Sequence, residues 1–200
     1  MMLLKSNAEY LFWLGRYMTR VQYLCSQFPF MHDHEAVLYA QAFALPAFDA
    51  SSLNQLVLNA EYPISFKQQF EYMKSNIHEL RGVLSAYTYA ELNKIIKTAS
   101  ENPNLICDFV SECHEVIEAE AHEVFLFIKL GQAVEQLDRQ LRLNQETKNT
   151  AKELSLVLEL LDKLGWEEVS QQWHGLLGEM NLNAFYRFSE HVQQMFEVDV

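Results

Sequence analysis

The sequence predicts an all-α protein, on three observations. Apolar residues recur at three- and four-residue steps along most of the 200 positions. Only four prolines and six glycines interrupt them, and no stretch alternates apolar and polar residues as a half-buried strand would. The expected architecture is a single-domain helical bundle over residues 1–200, long enough to bury a real core.

Each helix has its own justification. From Glu9 to Phe28, Leu11, Leu14, Met18, Val21, Cys25 and Phe28 form one stripe, and Pro29 ends it. Trp13 lies opposite that stripe, so this helix is apolar nearly all round and belongs at the centre of a bundle or under a partner. "HEAVLYAQAFAL" is a second helix, stopped before Pro46. Asp49, Ser51 and Ser52 are candidate caps for a third that runs to Leu58, and "NAEYPIS" reads as a loop. Ser65 caps a fourth, "FKQQFEYMKSNIHELRGVL". Thr88, with Glu91 three residues later, suggests a capping box for "YAELNKIIKTA". Pro103 suits the first turn of one long central helix reaching about Asn144, with a bend near Glu120. Helices over about 148–163, 166–178 and 182–196 follow, punctuated by Gly165 and Gly178.

Composition restricts function. Twenty-seven acids against 15 Lys+Arg give a formal net charge of −12. Nucleic-acid binding needs a basic face and is disfavoured; a basic protein, peptide or amine would be better steered. Cys25, Cys107 and Cys113 are odd in number without CxxC spacing, so neither a disulfide framework nor a zinc ribbon is readable. "MMLLKSNAEYLFWLGRYMTR" is a poor signal peptide and too short and charged for a membrane span, making the cytoplasm the default compartment. The oligomeric state is not legible.

An internal repeat emerges when "LFWLGRYMTRVQYLC" (11–25) is set on "FIKLGQAVEQLDRQL" (127–141). Leu14-Gly15 overlies Leu130-Gly131 in the same apolar register. A mid-helix glycine costs about 1 kcal/mol relative to alanine; two copies point to a close helix–helix approach. Thr19 and Gln22 stand where the second copy has Glu135 and Asp138.

Those two carboxylates, three apart beside the buried stripe, are the most informative polar residues, since unpaired buried charge is costly. Three readings are open. Arg139 and Arg142 stand four residues after each acid and suit i,i+4 pairs along the helix. Alternatively Arg16 or Arg20 crosses from the other repeat helix, forming a polar seam that is architectural or binds an amine or carboxylate. General acid–base catalysis is the third, requiring a shifted pKa and a pocket.

Other clusters read blandly. His114, Glu118 and His122 share a face of the long helix, but span about 12 Å at 1.5 Å per residue, too far for one ion. That face reads as solvated and acidic, and "HDHE" at 32–35 reads as a loop with Asp33 as a cap. A Cys113–His114 nucleophile pair would diverge on a helix, and no phosphate-loop, dinucleotide or nucleophile-elbow motif is present. No metal, cofactor or catalytic residue is expected.

Three blocks in order carry a family resemblance. "NAEYLFWLGRYMTRVQ", "LNAEYPISFKQQFEYMKSNIHELRGVLSAYTYAELN" and "HEVFLFIKLGQAVEQLDR" resemble successive motifs of the Alpha-E family, α-helical proteins marked by Glu-Arg pairs. The matched blocks span most of residues 7–143, leaving 144–200 as an abbreviated second half. The first Glu-Arg pair is Thr19-Arg20 here and the second Glu135-Gln136, while Gln132 replaces an arginine. The resemblance implies gene neighbours encoding a circularly permuted ATP-grasp ligase and transglutaminase-like or protease proteins, hence peptide or amide metabolism. By position it implies binding roles for Arg16, Arg20, Arg81, Glu123, Glu135 and Asp138. The resulting expectation is a non-catalytic accessory protein of an ATP-grasp peptide-ligase-type system. The alternative is an enzyme or small-molecule binder using the Arg/Glu/Asp seam.

Overall fold

The computed structural model describes residues 3–101 and 105–197 and contains ten α-helices among them, with no strand. They are α1 (Lys5–Gln27), α2 (Asp33–Ala42), α3 (Ala50–Leu58), α4 (Phe66–Glu79), α5 (Ala86–Glu101), α6 (Ile106–Ile117), α7 (His122–Arg142), α8 (Lys148–Lys163), α9 (Trp173–Gly178) and α10 (Leu182–Phe196). Short 3-10 turns at Leu80–Gly82 and Glu167–Ser170 link α4 to α5 and α8 to α9. The all-α expectation holds.

α1 and α7, the two repeat helices, form the central pair. α4 and α6 pack on α1, α8 packs on α7, and α10 touches both members of the pair. Its Phe196 ring sits 5.4 Å from Phe12 and 6.2 Å from Phe127, so the C-terminal helices share the main core. A second apolar cluster, built on Leu24, Phe30, Tyr39, Leu53 and Val57, lies under α2 and α3. No described helix is long and apolar enough to cross a membrane.

Side-chain caps account for several helix starts. Asp49 and Ser52 form a reciprocal cap on α3: Asp49 Oδ1 accepts from Ser52 N at 2.7 Å, and Ser52 Oγ accepts from Asp49 N at 3.1 Å. Ser65 Oγ accepts from Gln68 N and starts α4. α5 begins earlier than the sequence suggests, because Ser85 rather than Thr88 supplies the cap, its Oγ accepting from Thr88 N at 3.1 Å. Asp33 does not cap its own helix. It opens α2, and its Oδ1 accepts from Ala50 N at the start of α3.

The long central helix is a correction: it is two helices. Glu118 N donates back to His114 O, Ala121 takes an extended conformation, and α7 starts afresh at His122. Glu120 fastens this corner, its Oε1 accepting from Ser85 N at 3.0 Å. Ile117 and Val124 are seven residues apart, two helical turns, so the apolar stripe reads through the break. Pro103 lies outside the described residues. A second correction concerns the cysteines: Cys25 and Cys107 form a disulfide, with Cα atoms 5.8 Å apart, tying the end of α1 to α6. Eighty-two residues separate them, a partnership that sequence spacing cannot reveal.

Candidate functional site

Two glycines set the site's geometry. A Cβ on Gly15 would strike the Ile128 carbonyl oxygen and lie 3.1 Å from Gln132 N. A Cβ on Gly131 would strike the Phe12 carbonyl oxygen and lie 3.1 Å from Arg16 N. Phe12 and Ile128 are repeat equivalents, as are Arg16 and Gln132, so the crossing is pseudo-two-fold. Any larger residue would force the backbones apart.

That approach brings the polar positions of each helix within reach of the other. Glu135, on α7, accepts from Arg16 Nε at 2.8 Å, Arg20 Nε at 2.6 Å and Arg20 Nη2 at 2.9 Å. Arg16 Nη2 lies 3.6 Å from Asp138 Oδ2. Arg142 Nε donates to Asp138 Oδ1 at 2.7 Å, while its Nη1 donates to Ala42 O at 3.0 Å and secures the last turn of α2. Arg16, Glu135 and Asp138 are only 6%, 4% and 7% exposed. The two ion-pair readings are divided between the acids, and the Glu135–Arg139 pair along the helix does not form. Asp138 makes the pair along its own helix, and Glu135 makes the pair across the crossing.

The electrostatics follow from this pairing. Burial by itself would raise the Glu135 pKa, but the charges of Arg20 and Arg16 and their hydrogen bonds outweigh it and hold the carboxyl down at about 2. Burial works against the Arg20 cation, and Glu135 more than compensates. Glu135 is thus ionised throughout the neutral range, which suits a fixed counter-charge and not a proton donor.

Arg139 behaves differently. It does not pair with Glu135; its guanidinium lies over the Tyr23 ring at 4.1 Å. Its Nε is buried and has no hydrogen-bond partner among the described residues, and burial pushes its pKa down.

All these groups line one cavity of about 550 Å³ between the central pair and the α2–α3 unit. Its charged floor comes from α1 and α7, and its walls include Tyr23, Tyr39, Phe43, Leu56 and Ile64. Gln69 from α4 also lines it; this side chain is buried, its Nε2 donates to Pro63 O at 2.6 Å, and its Oε1 is unpartnered.

Of the six residues singled out from the sequence, Arg16, Arg20, Glu135 and Asp138 come together here. Glu123 does not: its Oε1 accepts from Trp166 Nε1 at 2.9 Å and Leu3 N at 3.4 Å, clamping the start of α7. Arg81 is exposed on the 3-10 turn after α4, away from the cavity. Tyr23, Tyr39 and Gln69 were not legible as site residues; Arg139 and Arg142 had a signal only as local partners of the acids. The break after Ile117 removes His122 from the face that holds His114, whose Nδ1 meets Gln132 Nε2 at 3.1 Å. Among the described residues no three His, Cys, Asp or Glu side chains are grouped to hold a metal. Cys113 is buried, and burial pushes its thiol well above the ordinary range.

A family model, Alpha-E, described as a predicted alpha-helical domain with a conserved ER motif, matches residues 3–194. The match therefore continues through the C-terminal helices, beyond the 7–143 span of the recognisable blocks. No curated protein and no solved structure matches the chain.

Proposed function

The chain belongs to the Alpha-E family, and from that premise we propose that it is a non-catalytic accessory protein of a peptide-ligase-type system. In this reading it holds a small molecule of peptide or amide metabolism in the cavity above the α1–α7 seam. The observation that carries the ligand-holding half is the cavity itself, where paired carboxylates and guanidiniums open onto about 550 Å³ of space. That volume is the ordinary size of a small-molecule site. The non-catalytic half is supported by the engagement of Glu135, which takes three guanidinium donors and is held as a fixed counter-charge. The ligase partner rests on the family resemblance.

The cytoplasm, our expectation for the compartment, has the Cys25–Cys107 bridge as a counter-observation, because cytosolic thiols are kept reduced.

The test is to purify the protein together with a circularly permuted ATP-grasp ligase of the kind the family resemblance implies. We expect a complex by sedimentation, and no turnover of amide substrates by the helical protein alone. Turnover by the isolated protein that is lost in Glu135→Gln would sink the accessory reading and favour the enzyme.

A further inference from the structure

The charge count within the cavity does not close. Four guanidiniums line it, from Arg16, Arg20, Arg139 and Arg142, against two carboxylates, Glu135 and Asp138. Four minus two leaves a local charge of +2 inside a protein whose net charge is −12. Glu35 lines the adjoining cavity beyond Tyr23 and Tyr39, not this one. Three of the four arginines have a carboxylate; Arg139 has none among the described residues. A buried guanidinium donor without an acceptor is costly, and an anionic ligand would remove that cost.

We infer that the cavity takes a carboxylate carried on an apolar body, specifically an N-acylated apolar amino acid or the C-terminal end of a short peptide, with Arg139 as its anchor. This rests on the ligand-holding half of the proposal above. Three observations select the chemistry. The guanidinium of Arg139 is a planar fork suited to carboxylate. Gln69 is 2% exposed, and its unpartnered Oε1 supplies a buried acceptor that an amide N–H of the ligand can satisfy. Leu45, Pro46, Leu56 and Ile64 give the same cavity an apolar side, where an aliphatic side chain is shielded from water. A free ammonium is disfavoured by the local excess of positive charge. The local field therefore selects the opposite sign of ligand from the one the overall charge would steer.

Four probes of similar size test this by titration calorimetry: N-acetyl-leucine, N-acetyl-leucinamide, leucinamide and 3-methylbutyl phosphate. We expect N-acetyl-leucine to bind at least tenfold more tightly than the other three. Arg139→Gln should weaken it at least tenfold, whereas Arg81→Gln should leave it unchanged. The comparison of acid with amide needs no variant, so a folding defect in Arg139→Gln cannot obscure the result; Arg139→Lys, which keeps the charge and loses the fork, is the second variant. Equal affinity for acid and amide, tighter binding of the phosphate or the cation, or full affinity in Arg139→Gln would overturn the carboxylate assignment while leaving a ligand-binding cavity. Heat from none of the four probes would overturn the assignment and the ligand-holding reading together.

Discussion

Arg20 and Glu135 form across space a Glu-Arg pair that neither helix holds as adjacent residues. The first repeat has Thr19-Arg20 where the second has Glu135-Gln136, so each copy carries one charged member of the pair. At the crossing, Arg20 Nε and Glu135 Oε1 meet at 2.6 Å. The pseudo-two-fold equivalent of that contact would join Gln136 to Thr19, two neutral residues, so the crossing is symmetric in backbone and asymmetric in charge. The asymmetry concentrates positive charge on the side that faces the cavity.

Removing the shared acid strands the Arg20 guanidinium and leaves Arg16 only its 3.6 Å contact with Asp138. Glu135→Ala should destabilise the fold by about 3–5 kcal/mol, the range for breaking a buried pair, read from urea unfolding. Asp138→Asn combined with Arg16→Gln should show measurable coupling, since those groups lie 3.6 Å apart. The same cycle with Arg20→Gln should show coupling near zero, because Arg20 pairs only with Glu135 among the described residues.

The glycines should tolerate nothing larger. Alanine at an ordinary helical position gains about 1 kcal/mol over glycine. At Gly15 or Gly131 the added methyl meets a carbonyl group of the other helix, and we expect a net loss of roughly 1–3 kcal/mol instead. Both substitutions separate the same two backbones, so their effects should fall short of additive. Thermal melts of the two single variants and the double variant check this; a stabilised Gly131→Ala would refute the close crossing.

Acid should weaken the seam in a defined window. The Glu135 pKa falls from 4.5 to about 2 on folding. Its contribution is therefore complete above about pH 4.5 and is lost as pH falls through about 2. The size is on the order of 3 kcal/mol. Wild-type stability measured between pH 6 and pH 2 should fall more steeply than that of Glu135→Gln, which lacks the titrating group. Parallel curves would mean that Glu135 does not gain its arginines on folding.

The disulfide closes a long loop, so its loss should be felt globally. With a sequence separation of 82 between Cys25 and Cys107, loop-closure entropy gives about 4.5 kcal/mol. Non-reducing peptide mapping should recover the Cys25–Cys107 pair with Cys113 free. Cys25→Ser should lower the urea midpoint by a corresponding amount. An unchanged midpoint would show that the bridge adds nothing to stability.

Sequence by itself determined what nearest neighbours along the chain can encode. The apolar stripe of α1, the capping chemistry of Asp49 and Ser65, and the extents of α8 and α10 follow from spacing within one or two turns. The repeat also made the close approach at Gly15 and Gly131 legible, because two helices with the same stripe and the same missing side chain can pack symmetrically. Tertiary structure decided everything that depends on which surfaces meet. It split the expected long helix at a corner held by Glu120 and Ser85, far apart in sequence, and it paired Cys25 with Cys107. It also divided the local options of the two acids: Asp138 kept its i,i+4 arginine, while Glu135 exchanged Arg139 for Arg16 and Arg20. The physical reason is a competition of range. An i,i+4 pair on a helix surface is worth a few tenths of a kcal/mol, whereas a buried carboxylate needs several donors. Once the glycines bring α1 against α7, two guanidiniums satisfy Glu135 better than one, and Arg139 is left facing the cavity.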